Sequence, residues 1–84
     1  MRSPDQPLTL SIEQIGDLNR KLSKMRHDIN NYLAVMIPAA ELARYKPEAA
    51  DRMTTAVLEQ APRITEALKT FSAEFERVFG IARS

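Results

Sequence analysis

The single histidine of the chain, His27, lies in the segment 24–33, KMRHDINNYL, beside an acid and two amides. An imidazole titrates close to neutral pH, so a large share of it is uncharged and nucleophilic there. Attack of a ring nitrogen on phosphorus forms phosphohistidine, a covalent carrier of the phosphoryl group. The segment therefore contains the chemistry needed to accept a phosphoryl group and pass it on.

The spacing of the polar residues around His27 is helical. Arg20, Lys24, His27 and Asn31 follow one another by four, three and four positions, so on a helix they form one exposed row, with Asn30 at its edge. The two cations of the row can offset phosphate charge. On spacing alone, the row fits an ordinary solvated helix face equally well.

Asp28 and Asn31 are the candidate partners of His27 in this chemistry. Asp28 lies about 100° around the helix from His27, so it does not stack on the ring, yet it can hold the ring tautomer or take a proton. Asn31, one turn further on, can position a phosphoryl oxygen or an attacking water.

The first element that must position these residues is a long helix over about 11–45. Ser11 and Gln14 have the spacing of a capping box, and residues 1–10 are predicted to be a flexible tail. Apolar residues then recur by threes and fours, at Ile15, Leu18, Leu22, Met25, Ile29, Tyr32, Met36 and Ala43. This stripe needs a partner, because a helix of this kind is not stable alone in water.

A second helix is predicted over about 47–79, after the break at Pro47. Its stripe runs from Met53 to Val78, and the cluster of Phe71, Phe75 and Phe79 is expected to be core at the distal end of the bundle. Gly80 is the expected cap and 81–84 a frayed tail. Pro38 and Pro62 fall inside the two helices, and we expect kinks there. Three or four shorter helices are the alternative.

Composition bounds the class of protein. Eighty-four residues make at most one domain, with 44% hydrophobic residues, 27% charged residues and only two glycines, which favours an all-α fold. The chain has no cysteine and a single histidine, which excludes a disulfide framework and a thiolate or histidine-rich metal site within one chain. No apolar run is long enough for a membrane span or a secretory signal, so a cytoplasmic location is expected.

Two long helices with a short connection make an antiparallel hairpin. One hairpin of this size cannot cover both apolar stripes, whereas two hairpins can. We therefore predict a homodimer that forms a four-helix bundle. With the turn at Lys46, residues near Thr65 are expected beside His27.

Residues 26–33, RHDINNYL, resemble the phosphoacceptor box of bacterial two-component sensor histidine kinases of the HDxxN kind, with His27, Asp28 and Asn31 at the three marked positions. The continuation 34–42, AVMIPAAEL, is also similar to those kinases, apart from Pro38. The resemblance covers roughly residues 11–79. It implies the dimerisation and histidine-phosphotransfer domain, a hairpin that dimerises into a four-helix bundle.

The resemblance also implies roles and partners. His27 would be phosphorylated, Asp28 would be its acid–base neighbour, and Asn31 would assist dephosphorylation of a response regulator. Arg20, Lys24 and Asn30 would contact phosphate or the partner. No ATP-binding domain is encoded in 84 residues, so ATP would come through a separate kinase catalytic domain and magnesium would belong to the receiver domain. A freestanding phosphotransfer protein and a domain cut from a kinase both fit.

Two other functions are compatible with the residues. A non-catalytic helical interaction protein would use the same bundle to bind or sequester a signalling partner, with His27 unused. A small nucleic-acid-binding protein would use the bases between Arg20 and Arg26, but a net charge of only +1 argues against it.

Overall fold

A computed structural model describes residues 8–80 of the chain. Two long helices account for nearly all of this range, α1 over Ile12–Tyr45 and α2 over Ala50–Phe79, and one 3-10 turn over Pro47–Ala49 joins them. Residues 8–80 contain no strand. The predicted all-α fold and the long antiparallel hairpin are confirmed. The predicted tails at 1–10 and 81–84 lie outside the described residues, apart from 8–10, which are not helical.

The start of α1 follows from the capping box. Ser11 has extended backbone angles, and its side chain accepts a hydrogen bond from the Gln14 N–H at 3.0 Å. The Gln14 side chain in turn accepts from the Ser11 N–H at 2.8 Å. These two bonds satisfy N–H groups that the first helical turn leaves without a partner.

Both helices continue through their internal prolines, Pro38 and Pro62. A proline removes the hydrogen bond to the carbonyl four residues earlier, which here belongs to Ala34 and Leu58. These two residues and both prolines are exposed, so water can reach the carbonyls. The alternative of three or four shorter helices is therefore wrong for the described residues.

The connection takes four residues. Lys46 leaves the helical conformation with φ −128° and ψ 93°, and Ala49 at the end of the 3-10 turn is 4% exposed. α2 therefore begins at Ala50, three residues after the predicted start. At its far end Gly80 adopts a left-handed φ of 64° and its N–H bonds the Glu76 carbonyl, a conformation that glycine adopts without strain.

The register of the two helices is fixed by this turn and is marked by one contact, from Lys21 Nζ to Glu74 Oε1 at 2.6 Å. The chain reverses over 46–49 and not at Lys46 alone. The part of α2 at the level of His27 is therefore near Leu68, about one helical turn beyond the predicted Thr65. The prediction erred because it allowed no residues for the 3-10 turn.

A single hairpin buries few of its side chains. Only Leu18, Ala39 and Ala49 are buried among the described residues, and the remaining stripe residues are half-buried or exposed. Phe75, expected in the core, is 39% exposed, although its ring stacks on Phe79 with centroids 4.3 Å apart. One hairpin thus leaves much apolar surface in contact with water.

Apart from Ile12, Val35 and Tyr45, the large apolar side chains that are exposed in residues 8–80 share one broad face of the hairpin, which we call the open face. At about 100° per residue, those of α1 and those of α2 lie on the same side of the contact between the helices. They are Ile15, Leu33, Ile37, Leu58, Leu68 and Phe75. The opposite broad face carries a groove, described below.

Candidate functional site

His27 lies on the outer edge of α1, exposed to solvent. It follows the buried Leu18 by nine residues, which places it about 180° around the helix from the side that meets α2. The side chain has no packing role in this position. A bulky phosphoryl donor can therefore approach the ring from solvent without displacing either helix.

Asn31 is in contact with His27. The side-chain nitrogen Nδ2 of Asn31 lies 3.2 Å from Nε2 of the imidazole, one helical turn away. When the amide donates to Nε2, the neutral ring carries its proton on Nδ1. The site thus pairs a ring nitrogen with an amide that can leave it to contact a phosphoryl oxygen. The structure brings these two predicted site residues together.

Asp28 is bonded to Lys24. Its Oδ2 accepts a hydrogen bond from Lys24 Nζ at 2.6 Å, and its side chain is 27% exposed. The hydrogen bond to Asp28 is the main cause that raises the pKa of the Lys24 ammonium above its ordinary value. The predicted acid–base role of Asp28 at the ring therefore requires its carboxylate to leave Lys24.

The other predicted contacts of the row are looser. Arg20 Nη2 lies 3.5 Å from Asp17 Oδ1, and the arginine side chain is 74% exposed. Asn30 is exposed beside the row. Both side chains are available to a ligand or partner that approaches His27 from solvent.

A groove of about 500 Å³ lies between the two helices on the face opposite the open face. Its apolar floor is formed by Met25, Tyr32, Ala67 and Phe71, and its charged rim by Lys21, Lys24, Asp28, Arg63, Glu66 and Glu74, with Thr70 between them. Among the α2 residues, Phe71 was expected as core, and the sequence pattern did not assign the charged side chains to a groove. Their part in the groove follows from the antiparallel register, which could have revealed it once the turn length was known.

A four-residue ion network, Asp17–Lys21–Glu74–Arg77, closes the end of the hairpin away from the turn. Lys21 Nζ bonds Asp17 at 2.9 Å as well as Glu74, and Arg77 Nε bonds Glu74 Oε2 at 3.2 Å. Hydrogen bonds from Arg77 and then Lys21 lower the pKa of Glu74 to about 2. A hydrogen bond from Lys21 lowers the pKa of Asp17. Sequence reasoning did not find this network.

Two features are absent from residues 8–80. Neither helix contains an apolar stretch long enough to cross a lipid bilayer. Within the same range, no three side chains of histidine, cysteine, aspartate or glutamate converge as metal ligands. Comparisons with known protein families, characterised proteins and solved structures found no match to the chain.

Proposed function

We propose that the protein is a histidine phosphotransfer module of two-component signalling, carrying a phosphoryl group on His27 to or from an aspartate of a response-regulator receiver domain. The observation that supports this most is the position of His27, exposed on the outer edge of α1 with Asn31 at its Nε2. The resemblance of residues 26–33 to the HDxxN phosphoacceptor box points to the same chemistry.

The transfer step follows from that geometry. Nε2 of neutral His27 attacks the phosphorus of an aspartyl phosphate on the receiver; the N–P bond forms, the P–O bond to the acyl oxygen breaks, and the carboxylate leaves with its electron pair. The ring, still protonated on Nδ1, becomes cationic and gives that proton to solvent. The reverse step returns the phosphoryl group to a receiver aspartate.

The side chain of Asn31 takes two positions during the transfer. Before the attack its amide occupies the Nε2 lone pair, and it must swing away as the donor arrives. The freed amide is then within one helical turn of the phosphoryl oxygens, or of a water that attacks an acyl phosphate. The role of Asp28 as acid–base neighbour remains a prediction, since its carboxylate bonds Lys24.

The open face supports a homodimer. Its exposed aliphatic and aromatic side chains lie on one side of the hairpin, and two copies packed through this face would bury them in a four-helix bundle. The groove and the His27 row would remain outside the bundle. Both histidines of the dimer would then be accessible to partners.

ATP and magnesium would be supplied by partner domains, a separate kinase catalytic domain and the receiver, respectively. A cytoplasmic location follows from such partners. The proposal holds equally for a freestanding carrier and for a domain of a longer kinase, because neither the row nor the open face depends on what adjoins the hairpin.

Labelled phosphate tests the proposal. The wild type is incubated with phosphorylated receiver domains from a panel of response regulators, with histidine kinase catalytic domains plus ATP, and with phosphoramidate as a chemical donor. Acid-labile, base-stable label on the wild type and on Thr54→Ala, an exposed change on α2 outside the row, but not on His27→Ala, is the expected result. Label retained by His27→Ala, or absent with every donor, would overturn it.

The open face also favours a second candidate, a non-catalytic dimeric interaction protein that binds or sequesters a signalling partner. This function needs the apolar surface and not the imidazole. Under it, His27→Ala binds its partner as tightly as the wild type, and no donor labels either protein.

A further inference from the structure

The ion pair between Lys24 and Asp28 lies beside His27, close to the position of a phosphoryl group on that residue. Lys24 lies three residues before His27 and four before Asp28, so both are its neighbours on the next turn of α1. At about 100° per residue, Lys24 lies between them around the helix, about 60° from His27 and about 40° from Asp28. Its flexible side chain can reach either one.

In the unphosphorylated protein, the ammonium of Lys24 forms an ion pair with the carboxylate of Asp28. Nζ lies 2.6 Å from Oδ2, and the lysine side chain is 76% exposed while the aspartate is 27% exposed. The carboxylate is thus the better-held member of the pair, and the ammonium is the one free to move. An exposed pair of this kind contributes little to stability, so a stronger anion can displace it.

A phosphoryl group on His27 is such an anion. It brings up to two negative charges and three acceptor oxygens to a position one turn from the ammonium. Across the groove Lys24 and Asp28 face Arg63, Glu66 and Glu74, and on their own helix Lys21, which is already bonded to Asp17 and Glu74. Neither Lys21 nor Arg63 is bonded to Asp28, so Lys24 is the cation that this carboxylate holds in the hairpin.

We infer that Asp28 is a positioning residue that acts through Lys24, holding the ammonium in the unphosphorylated protein and releasing it to the phosphoryl group of His27. The inference rests on the proposed phosphorylation of His27 and deepens it. The exchange breaks the Lys24–Asp28 contact, forms a Lys24–phosphoryl contact, and leaves a bare carboxylate at the rim of the groove. A partner that binds at the groove would therefore bind the phosphorylated and the unphosphorylated protein differently.

The first test needs no phosphate. Lysine labelled at Cε is titrated by NMR in the wild type and in Asp28→Asn, with the Asp51→Asn variant as a matched control for loss of an exposed carboxylate elsewhere. Loss of the carboxylate is expected to lower the pKa of Lys24, since its hydrogen bond to Asp28 is what raises it. An unchanged Lys24 titration would show that the pair does not form in solution and would overturn the inference.

The second test measures the exchange. Phosphoramidate phosphorylates His27 with loss of ammonia, and the phosphorus resonance is titrated to follow the second acid dissociation of the phosphoryl group. A nearby ammonium favours the dianion, so Asp28→Asn is expected to lower this midpoint and Lys24→Gln to raise it, each by about a few tenths of a pH unit. When Asp28→Asn is added to the Lys24→Gln variant, it is expected to shift the midpoint by less than half as much as it does in the wild type.

The outcomes separate the two proposals. An equal effect of Asp28→Asn with and without Lys24 would mean that Asp28 acts on the ring or phosphoryl group directly, and would overturn this inference alone. A His27 that accepts no phosphate from any donor would overturn the proposed function and the exchange with it. The Lys24 titration would still report the resting pair.

Discussion

Lys21 Nζ and Glu74 Oε1 lie 2.6 Å apart and join the first half of α1 to the last third of α2. In the described residues this is the one ion pair between the helices, and it extends through Asp17 and Arg77 into a network of alternating charge. Leu18, one of the three residues that are buried in the described range 8–80, lies within this end of the hairpin. Packing and charge therefore hold the same end together.

The hairpin is expected to lose stability in acid because of Glu74. Its folded-state pKa is about 2, below the ordinary value of 4.5, so its contribution is fully present above about pH 4.5 and is lost as the pH falls towards 2. The pKa of Asp17 is also lowered, so its contribution is lost in the same direction. Thermal unfolding followed by circular dichroism between pH 6 and pH 2 measures the loss.

The control for that experiment is Glu74→Gln. The variant should be less stable than the wild type at pH 6 and should lose less stability on acidification, because it has no carboxylate to protonate at this position. Parallel pH curves for the two proteins would contradict the assignment of the acid sensitivity to Glu74.

The neutral imidazole of His27 is expected to carry its proton on Nδ1. Asn31 Nδ2 lies 3.2 Å from Nε2, and a donating amide stabilises the tautomer in which Nε2 is an acceptor. Long-range nitrogen–proton NMR spectra distinguish the tautomers. Asn31→Ala should move the ring towards a mixture, while Asn30→Ala should leave it unchanged; a wild-type ring protonated on Nε2 would contradict the contact.

The open face is expected to mediate self-association. Leu68 is 47% exposed on this face, so Leu68→Glu places a charge where a second copy would pack and should yield a monomer with reduced helicity. Sedimentation equilibrium measures the mass. Thr70→Glu, an exposed change of the same helix at the groove, is the matched control and should stay dimeric; a monomeric wild type would exclude the bundle.

Leu18 is expected to be the most sensitive aliphatic side chain of α1. It is 9% exposed, and truncation to alanine should reduce the free energy of unfolding by about 2–3 kcal/mol in urea titrations. Ile12, which is 86% exposed, provides the comparison, and Ile12→Ala should change the stability by less than about 0.5 kcal/mol. Equal effects at both positions would mean that the hairpin packs through another face.

The amino-acid sequence by itself determined the helices and the place of His27 on one of them. The apolar spacing sets the buried side of α1, and the short-range pairs Ser11–Gln14 and His27–Asn31 follow from three- and four-residue offsets within one helix. Gly80 at the end of α2 was predictable for the same local reason. These features depend on neighbours along the chain alone.

The tertiary structure decided what lies across from each residue. The four-residue turn sets the register, and with it the Lys21–Glu74 pair, the groove beside Asp28, and the level of Leu68 opposite His27. It also left Phe75 39% exposed on the open face of the single hairpin. Contacts between helices depend on where the second helix lies, and the spacing within either helix carries no information about that distance.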